Sequence, residues 1–427
     1  MRKLLALFLV PVFFAPLQID SSEKNVKDAS SQVKYQLTKT LTNQILDYTS
    51  IPKNPITMAE VIVYQDQNLT EMIGTIPPKT TLDILHMTIN NNLKPVFELA
   101  DGSFILASQQ EIFSDLVLSE DAYQADFWLK PGFSVYQQPY LMGTSAVTTL
   151  LEPYTKVHVI KKAKTFSGVY YKISDYGWVS AEFLSNTDNR MEKVQQLLDS
   201  QYQYSKISVS VKQLSTKLSA GVNQEQMMYS ASISKLPLLY YVQHLLDEGK
   251  ISPEDKLKYV AEVNSFKGAF DPSGAGSISK VADEKDYSVE QLLKAISQES
   301  DNVATNILAY YIADQYGKDY QEFMAAYPGW DMDHRNLSAE TAANLMVAIY
   351  EQNGQIIDYL SHTRFDDQRI SKDIDVQVAH KTGDAYDFRH DVAIVYSEEP
   401  FVLSIFTENT SYDDISGIAK EIYTILK

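Results

Sequence analysis

Cysteine is absent from all 427 residues, which excludes disulfide staples, cysteine nucleophiles, thiolate metal ligands and lipid attachment through a thiol. Stability must come from packed cores. Positive charge is also scarce: 37 Lys and Arg stand against 55 Asp and Glu, a formal charge of -18. A nucleic-acid backbone is repelled by such a surface, so no nucleic-acid partner is expected. The seven histidines show no His-Glu-x-x-His or comparable ligand spacing, and no glycine-rich phosphate loop occurs. No metal and no cofactor is expected.

What remains is a globular composition, 44% hydrophobic and 22% charged, on a chain long enough for two or three domains. Arg2 and Lys3 precede an apolar run from Leu4 to Ile19 that is broken by Pro11, Pro16 and Gln18. A membrane helix needs about 20 apolar residues, so residues 1–20 read as a secretory signal, cleaved or retained as an anchor. Residues 21–50 are polar and read as a stalk.

From Ile51 to Asp188, short alternating apolar runs broken by Pro, Gly and Asn predict an all-β region. Val63-Tyr64-Gln65 and Val135-Tyr136-Gln137 mark a faint repeat, with a module over residues 51–118 and another over 119–188. Each is predicted to start with a strand at Val-Tyr-Gln, continue through Thr81–Met87 or Lys156–Ile160, and end in Pro95–Leu99 or Val169–Ile173. These units resemble the Src-homology-3-like barrels of bacterial cell-wall enzymes, which implies binding to wall material. The same aromatics also serve simply to fill two small cores.

Residues 189–427 change character. Helices are predicted over Met191–Ser200, Ser234–Leu246, Asn302–Tyr311, Ser338–Tyr350 and Asp413–Leu426, with a capping box opening another at Ser288 and Gln291. Strands are predicted at Lys206–Gln213, Leu218–Val222, His390–Tyr396 and Pro400–Thr407. Strands flanking a helical middle make an α+β or α/β sandwich.

Three motifs stand in order in this domain: Ser232-Ile-Ser-Lys235, Ser300-Asp301-Asn302 and Lys381-Thr382-Gly383. Ser-x-x-Lys recurs at Ser21, Ser31 and Ser277, but only Ser232 sits between a strand and a long apolar helix. A serine hydroxyl needs an adjacent base, and residues three apart on a helix share a face, so Lys235 is the candidate. Its ordinary pKa of about 10.4 must fall before it can accept a proton, and burial, the helix end and a second cation, Lys381, all push that way.

The ordered triplet resembles the serine penicillin-recognising superfamily of class A β-lactamases and penicillin-binding proteins. That resemblance implies a Ser232 nucleophile, a Lys235 base, a proton relay through Ser300, and an oxyanion hole from the backbone N–H groups of Ser232 and Asp384. It implies that Asn302 holds the substrate amide, that Lys381 and Thr382 bind a carboxylate, and that Gly383 admits close backbone approach. Asp301 reads as structural. Taken singly, the motifs are also a helix cap, a solvated lysine and a strand ending in a turn.

Class A β-lactamases add a loop glutamate that activates the deacylating water. The corresponding stretch here, Tyr327 to Leu337, contains none. Glu340 and Asn344 match the letters but fall in a predicted helix, where a solvated face is expected, and Asp331 and Asp333 beside Arg335 read as solvated turn residues. His380 and His390 flank the third motif and either shape the pocket or are satisfied structural histidines. The expectation is an exported D,D-peptidase acting on peptidoglycan stem peptides and also binding β-lactams, at the outer face of a bacterial membrane or in the wall. The alternatives are a class A-like β-lactamase and a catalytically silent wall-binding protein.

Overall fold

The computed structural model describes residues 47–139, 144–204, 206–327, 329–330 and 332–427. The expected signal segment 1–20, most of the stalk 21–50 and Asp331 lie outside the described residues. The chain forms two compact units.

The first unit takes the described residues up to Ala125, with Ser134–Leu150 and His158–Ala181. Its first sheet has strands β1 (Val61–Tyr64), β2 (Met72–Ile76), β3 (Ile84–Ile89), β4 (Pro95–Leu99) and β5 (Phe104–Leu106), antiparallel in the order β2-β1-β5-β4-β3. Val61 and Val63 point inward to Phe97 and Ile105 while Ile62 stays exposed, the period-two pattern of a strand with one wet face. A second sheet, not confined to this unit's residues, comprises β6 (Val117–Leu129), β7 (Lys156–Thr165), β8 (Val169–Ile173), β9 (Gly177–Ser180) and β10 (Leu184–Ser185) in the order β9-β8-β7-β6-β10. Ala163, Tyr170 and Trp178 form a small cluster there.

Two five-stranded sheets thus stand where two barrels were expected, and the second does not begin at Val135. Tyr136 makes only isolated bridges, exchanging 2.8 Å backbone hydrogen bonds with Trp178. Gly177 permits that approach, since a Cβ there would sit 2.6 Å from the Tyr136 carbonyl oxygen. The 13-residue β6 supplies the strand instead.

The second unit takes Asp126–Phe133, Leu151–Val157 and Glu182–Lys427. Its elements run α1 (Arg190–Gln201), β11 (Ile207–Gln213), β12 (Ser219–Val222), α2 (Leu236–Asp247), α3 (Val289–Glu299), α4 (Asn302–Tyr311), α5 (Lys318–Met324), α6 (Ala339–Gln352), α7 (Gln355–Leu360), β13 (Val378–Ala385), β14 (Phe388–Val395), β15 (Phe401–Glu408) and α8 (Tyr412–Leu426). The sheet is antiparallel in the order β12-β11-β15-β14-β13. Alternate residues of β14 and β15 feed two cores. Ala393, Val395, Leu403 and Ile405 pack with Val194, Leu198, Ile418 and Ile422 of α1 and α8. Val392, Ile394, Val402 and Phe406 pack with the helical core of α2, α3, α4 and α6. With both faces covered, β15 reads as a nearly unbroken apolar run. This is an α+β sandwich, and β13 is one of the sheet's two edge strands.

Candidate active site

The site is built where the start of α2, the junction of α3 and α4, and β13 converge. Ser230 opens a 3-10 turn, Ala231–Lys235, that runs into α2. Its N–H and hydroxyl both donate to the Arg335 carbonyl, at 2.7 and 2.8 Å. Ala231 has φ +49°, a left-handed conformation that a non-glycine residue adopts only when its surroundings hold it there. The expected helix start at Ser234 is therefore a tighter turn. In a 3-10 turn, side chains three apart eclipse, so Ser232 and Lys235 lie on one side. Ser232 is partly exposed while Lys235 is fully buried.

Lys235 Nζ lies 2.5 Å from the Ser300 carbonyl oxygen, 2.6 Å from Asn302 Oδ1 and 3.3 Å from Ser300 Oγ; the charged form donates to all three, and the neutral form gives up one of these bonds and offers a lone pair. It also lies 4.8 Å from the centre of the Phe270 ring. Burial first, and then the positive charge of Lys381, hold its pKa well below that of an ordinary lysine. Lys381, equally buried, donates to Ser300 Oγ and to the Thr382 carbonyl, both at 2.8 Å. Burial pushes its pKa down to about 7, with Arg369 acting in the same direction and Asp391 opposing. Two lysines thus meet at one serine hydroxyl in a dry site. A neutral amine there can take a proton from a neighbouring hydroxyl.

Ser300 ends α3 in a left-handed conformation, φ +56°. Asp301 caps α4, accepting from Ala304 N–H at 2.8 Å, and its other oxygen accepts from Ile278 N–H at 2.9 Å. Its carboxylate faces loop amides and not the lysines' donors. Asn302 binds Lys235 through its oxygen and donates to the Asp271 carbonyl at 2.7 Å, which leaves one amide N–H for a substrate.

Lys381, Thr382, Gly383 and Asp384 are consecutive on β13, paired with Val392, Asp391, His390 and Arg389 of β14. Gly383 is expected to admit substrate; here it admits protein. A Cβ at Gly383 would sit 2.8 Å from the Ser230 carbonyl oxygen and 3.0 Å from Ile233 Cγ1, so glycine lets β13 lie against the turn that carries Ser232. The Asp384 carboxylate pairs with Arg369 and accepts a hydrogen bond from the Tyr412 hydroxyl at 3.0 Å, so its side chain is already engaged.

The flanking histidines divide. His390 is neutral, its pKa pushed down to about 4 by burial. Its Nδ1 accepts from Thr407 N–H at 3.1 Å, which leaves Nε2–H to donate to the Tyr229 carbonyl at 2.9 Å. His380 sits between Asp391 and Asp366 and is pushed up to about 9 against the opposing effect of burial, chiefly by Asp391. Glu340 is not on a solvated face. It is clamped on β11 by Ser210 at 2.7 Å and Lys212 at 2.5 Å, which hold its carboxyl low despite partial burial. Asp333 pairs with Lys267 at 2.7 Å on the surface, whereas Arg335 turns inward. Among the described residues, no group of three or more His, Asp or Glu is arranged to hold a metal ion.

Phe270, Arg335 and Arg369 belong to the site's surroundings and carry no motif. Arg369 is 1% exposed, has φ +53° and stacks 3.9 Å over Tyr412. Only its conspicuous place among loop acids distinguishes Arg335 in the sequence.

Residues 48–112 match a domain of unknown function (DUF5776). No curated protein matches the chain. Among solved structures, the chain is similar to a PBP-A mutant captured as its acyl-enzyme with penicillin G, at 19% identity over 56% of this chain and 96% of that one, with a TM-score of 0.46. A β-lactamase from Sphaerobacter thermophilus matches at 17% identity, covering 55% and 94%, TM-score 0.44. One from Xanthomonas campestris matches at 16%, covering 56% and 96%, TM-score 0.44. Residues 189–426, more than half of the chain, match the beta-lactamase enzyme family; the chain belongs to that family and is a serine hydrolase of the β-lactamase-like type.

Proposed function

We propose that the protein is an exported D,D-peptidase that opens peptidoglycan stem peptides through a Ser232 acyl-enzyme and is acylated, but slowly released, by β-lactams. The observation that supports it most is the convergence of two buried lysines on Ser300 Oγ, one of them the eclipsed neighbour of Ser232. Neutral Lys235 takes the Ser232 proton as Oγ attacks the substrate carbonyl. The Ser232 and Asp384 N–H groups receive the developing oxyanion. The C–N bond then breaks as Ser300 passes a proton to the departing amine and is resupplied from the lysines. Asn302 holds the acyl amide, and Lys381 with Thr382 holds the terminal carboxylate.

The loop favours this reading over a β-lactamase. Tyr327 to Leu337 has no glutamate, Asp333 is paired at the surface, and Glu340 is held on β11. A peptide's leaving amine diffuses off and admits water or an acceptor amine, whereas a lactam's stays tethered. Fluorescent penicillin should label the wild type and not Ser232→Ala, and intact mass spectrometry should show a persistent adduct. Absence of labelling would sink the acyl-enzyme reading; steady nitrocefin turnover would put the β-lactamase reading first. The apolar leader, polar stalk and β sheets support a location outside the cytoplasmic membrane, held near the wall.

A further inference from the structure

The Phe270 ring is shared by two cations. Lys235 lies 4.8 Å from its centre, and the Arg335 guanidinium lies 3.6 Å from the same centre. The ring is fixed from α4: Asn306 accepts from Phe270 N–H at 2.7 Å and donates to its carbonyl at 2.8 Å. Arg335 is fixed in turn, donating to the Gly268 carbonyl at 2.9 Å and the Ala269 carbonyl at 3.2 Å. Its backbone has φ +55°, and its own carbonyl receives both Ser230 donors. One residue therefore ties the loop to the nucleophile turn through its carbonyl and sets a permanent charge beside the base through its side chain.

We infer that Arg335 is a positioning residue that keeps Lys235 in its neutral, proton-accepting form by placing a fixed guanidinium against the Phe270 ring that Lys235 also faces. The inference rests on the acyl-enzyme reading above. The charged groups acting on Lys235 are Lys381 on β13, Asp301 at the head of α4, Lys280 in the loop before α3, and Arg335. Asp301 alone favours the charged lysine; the three cations oppose it. Lys280 is exposed and screened, and Lys381 itself titrates near neutrality. Arg335 is the cation that never loses its charge at a working pH. By way of the ring centre, the two groups are no more than about 8 Å apart, close enough at a protein-like dielectric to move a pKa by about one unit.

The test is the pH profile of acylation by a chromogenic β-lactam or thioester. Arg335→Gln should shift the basic rise upward by about one pH unit, lowering the rate by about tenfold on the acidic limb of the profile while leaving the high-pH plateau unchanged. Arg335→Lys, which keeps the charge, should retain the wild-type midpoint. An unshifted Arg335→Gln profile, or an equal shift in Arg335→Lys, overturns the inference. Should the glutamine variant not fold, Arg335→Met keeps an apolar stem on Phe270 without the charge and is read the same way. NMR titration of the labelled Lys235 side chain in a Ser232→Ala background reads the same midpoint without catalysis. Lack of acylation in the wild type thus counts against the proposed function alone, and an unmoved Lys235 midpoint counts against Arg335 alone.

Discussion

His380 offers a test of what holds β13 in place. Its ring is fully buried, with Nδ1 3.0 Å from Asp391 Oδ2 and Nε2 3.2 Å from Asp366 Oδ1. Asp391 is buried too, accepts from Ile370 N–H at 3.1 Å, and lies opposite Thr382 in the sheet. A charged imidazole between two carboxylates keeps its proton, so its pKa rises from 6.5 to about 9. That difference corresponds to about 3 kcal/mol of folding stability. Below pH about 6.5, both folded and unfolded chains carry the proton and the contribution is complete. Between about 6.5 and 9, only the folded chain binds it, so the contribution falls by about 1.4 kcal/mol per pH unit, and above 9 it is gone.

The wild type alone cannot display this slope. Lys381, with a folded value of about 7 against an ordinary 10.5, acts the other way, adding stability as pH rises through that window. Lys235 acts in the same sense as Lys381. Both lysines persist in His380→Gln, whose amide can still donate to Asp391, so the comparison cancels them. Urea unfolding of the two proteins at pH 6.0, 7.5 and 9.5 should give a stability gap that is widest at the lowest pH and shrinks by about 3 kcal/mol at the highest. A gap that stays constant, or widens with pH, would refute the charged-histidine argument.

Gly383→Ala should slow acylation by about a hundredfold with a stability loss of about 1–3 kcal/mol, because the added methyl meets backbone at Ser230 and displaces β13 from the Ser232 turn; a stopped-flow acylation rate equal to the wild type would show that the strand can yield without moving the site. Full-length protein should also co-sediment with purified wall sacculi, and Ser232→Ala should co-sediment equally well; loss of binding in that variant would place wall retention in the hydrolase site and not in the β sheets.

Local chemistry made much of this legible. Helix α4 begins and ends where the pattern from Asn302 to Tyr311 places it, since Asp301 is a side-chain cap with an apolar run behind it. Ser288 and Gln291 form the reciprocal pair that their spacing implies. The first two motifs sit at element ends, the turn into α2 and the α3–α4 junction, and the third lies within the edge strand β13. What depends on distant partners was not legible. Strand β13 shows no alternation, for its first six residues, Val378 to Gly383, are all buried, on both faces of the strand. Glu340 has the letters of a solvated helix start, and only the return of β11 past it supplies Ser210 and Lys212. Arg335 and Arg369 adopt left-handed backbones in loops, a choice set by the groups they bind and not by their neighbours in sequence.

Both buried lysines reach the Ser300 hydroxyl. That hydroxyl has two lone pairs and one proton. Lys381 lies 2.8 Å and Lys235 3.3 Å from Ser300 Oγ, so both amines are in reach of its oxygen. The Lys235 nitrogen is held further by the Ser300 carbonyl and by Asn302, so it cannot swing out to solvent. In the proposed reaction a proton taken from Ser232 enters this cluster and is passed through Ser300 to the leaving nitrogen. The left-handed backbone of Ser300 makes this possible: it ends α3 with the carbonyl turned to Lys235 while Asp301 restarts the chain as α4. The strain of that conformation, of order 1–3 kcal/mol, is offset by a cap on one side and a lysine on the other. In the proposed acyl-enzyme reaction this cluster carries the proton from the nucleophile toward the departing group, with Lys235 held in place at the start of that path.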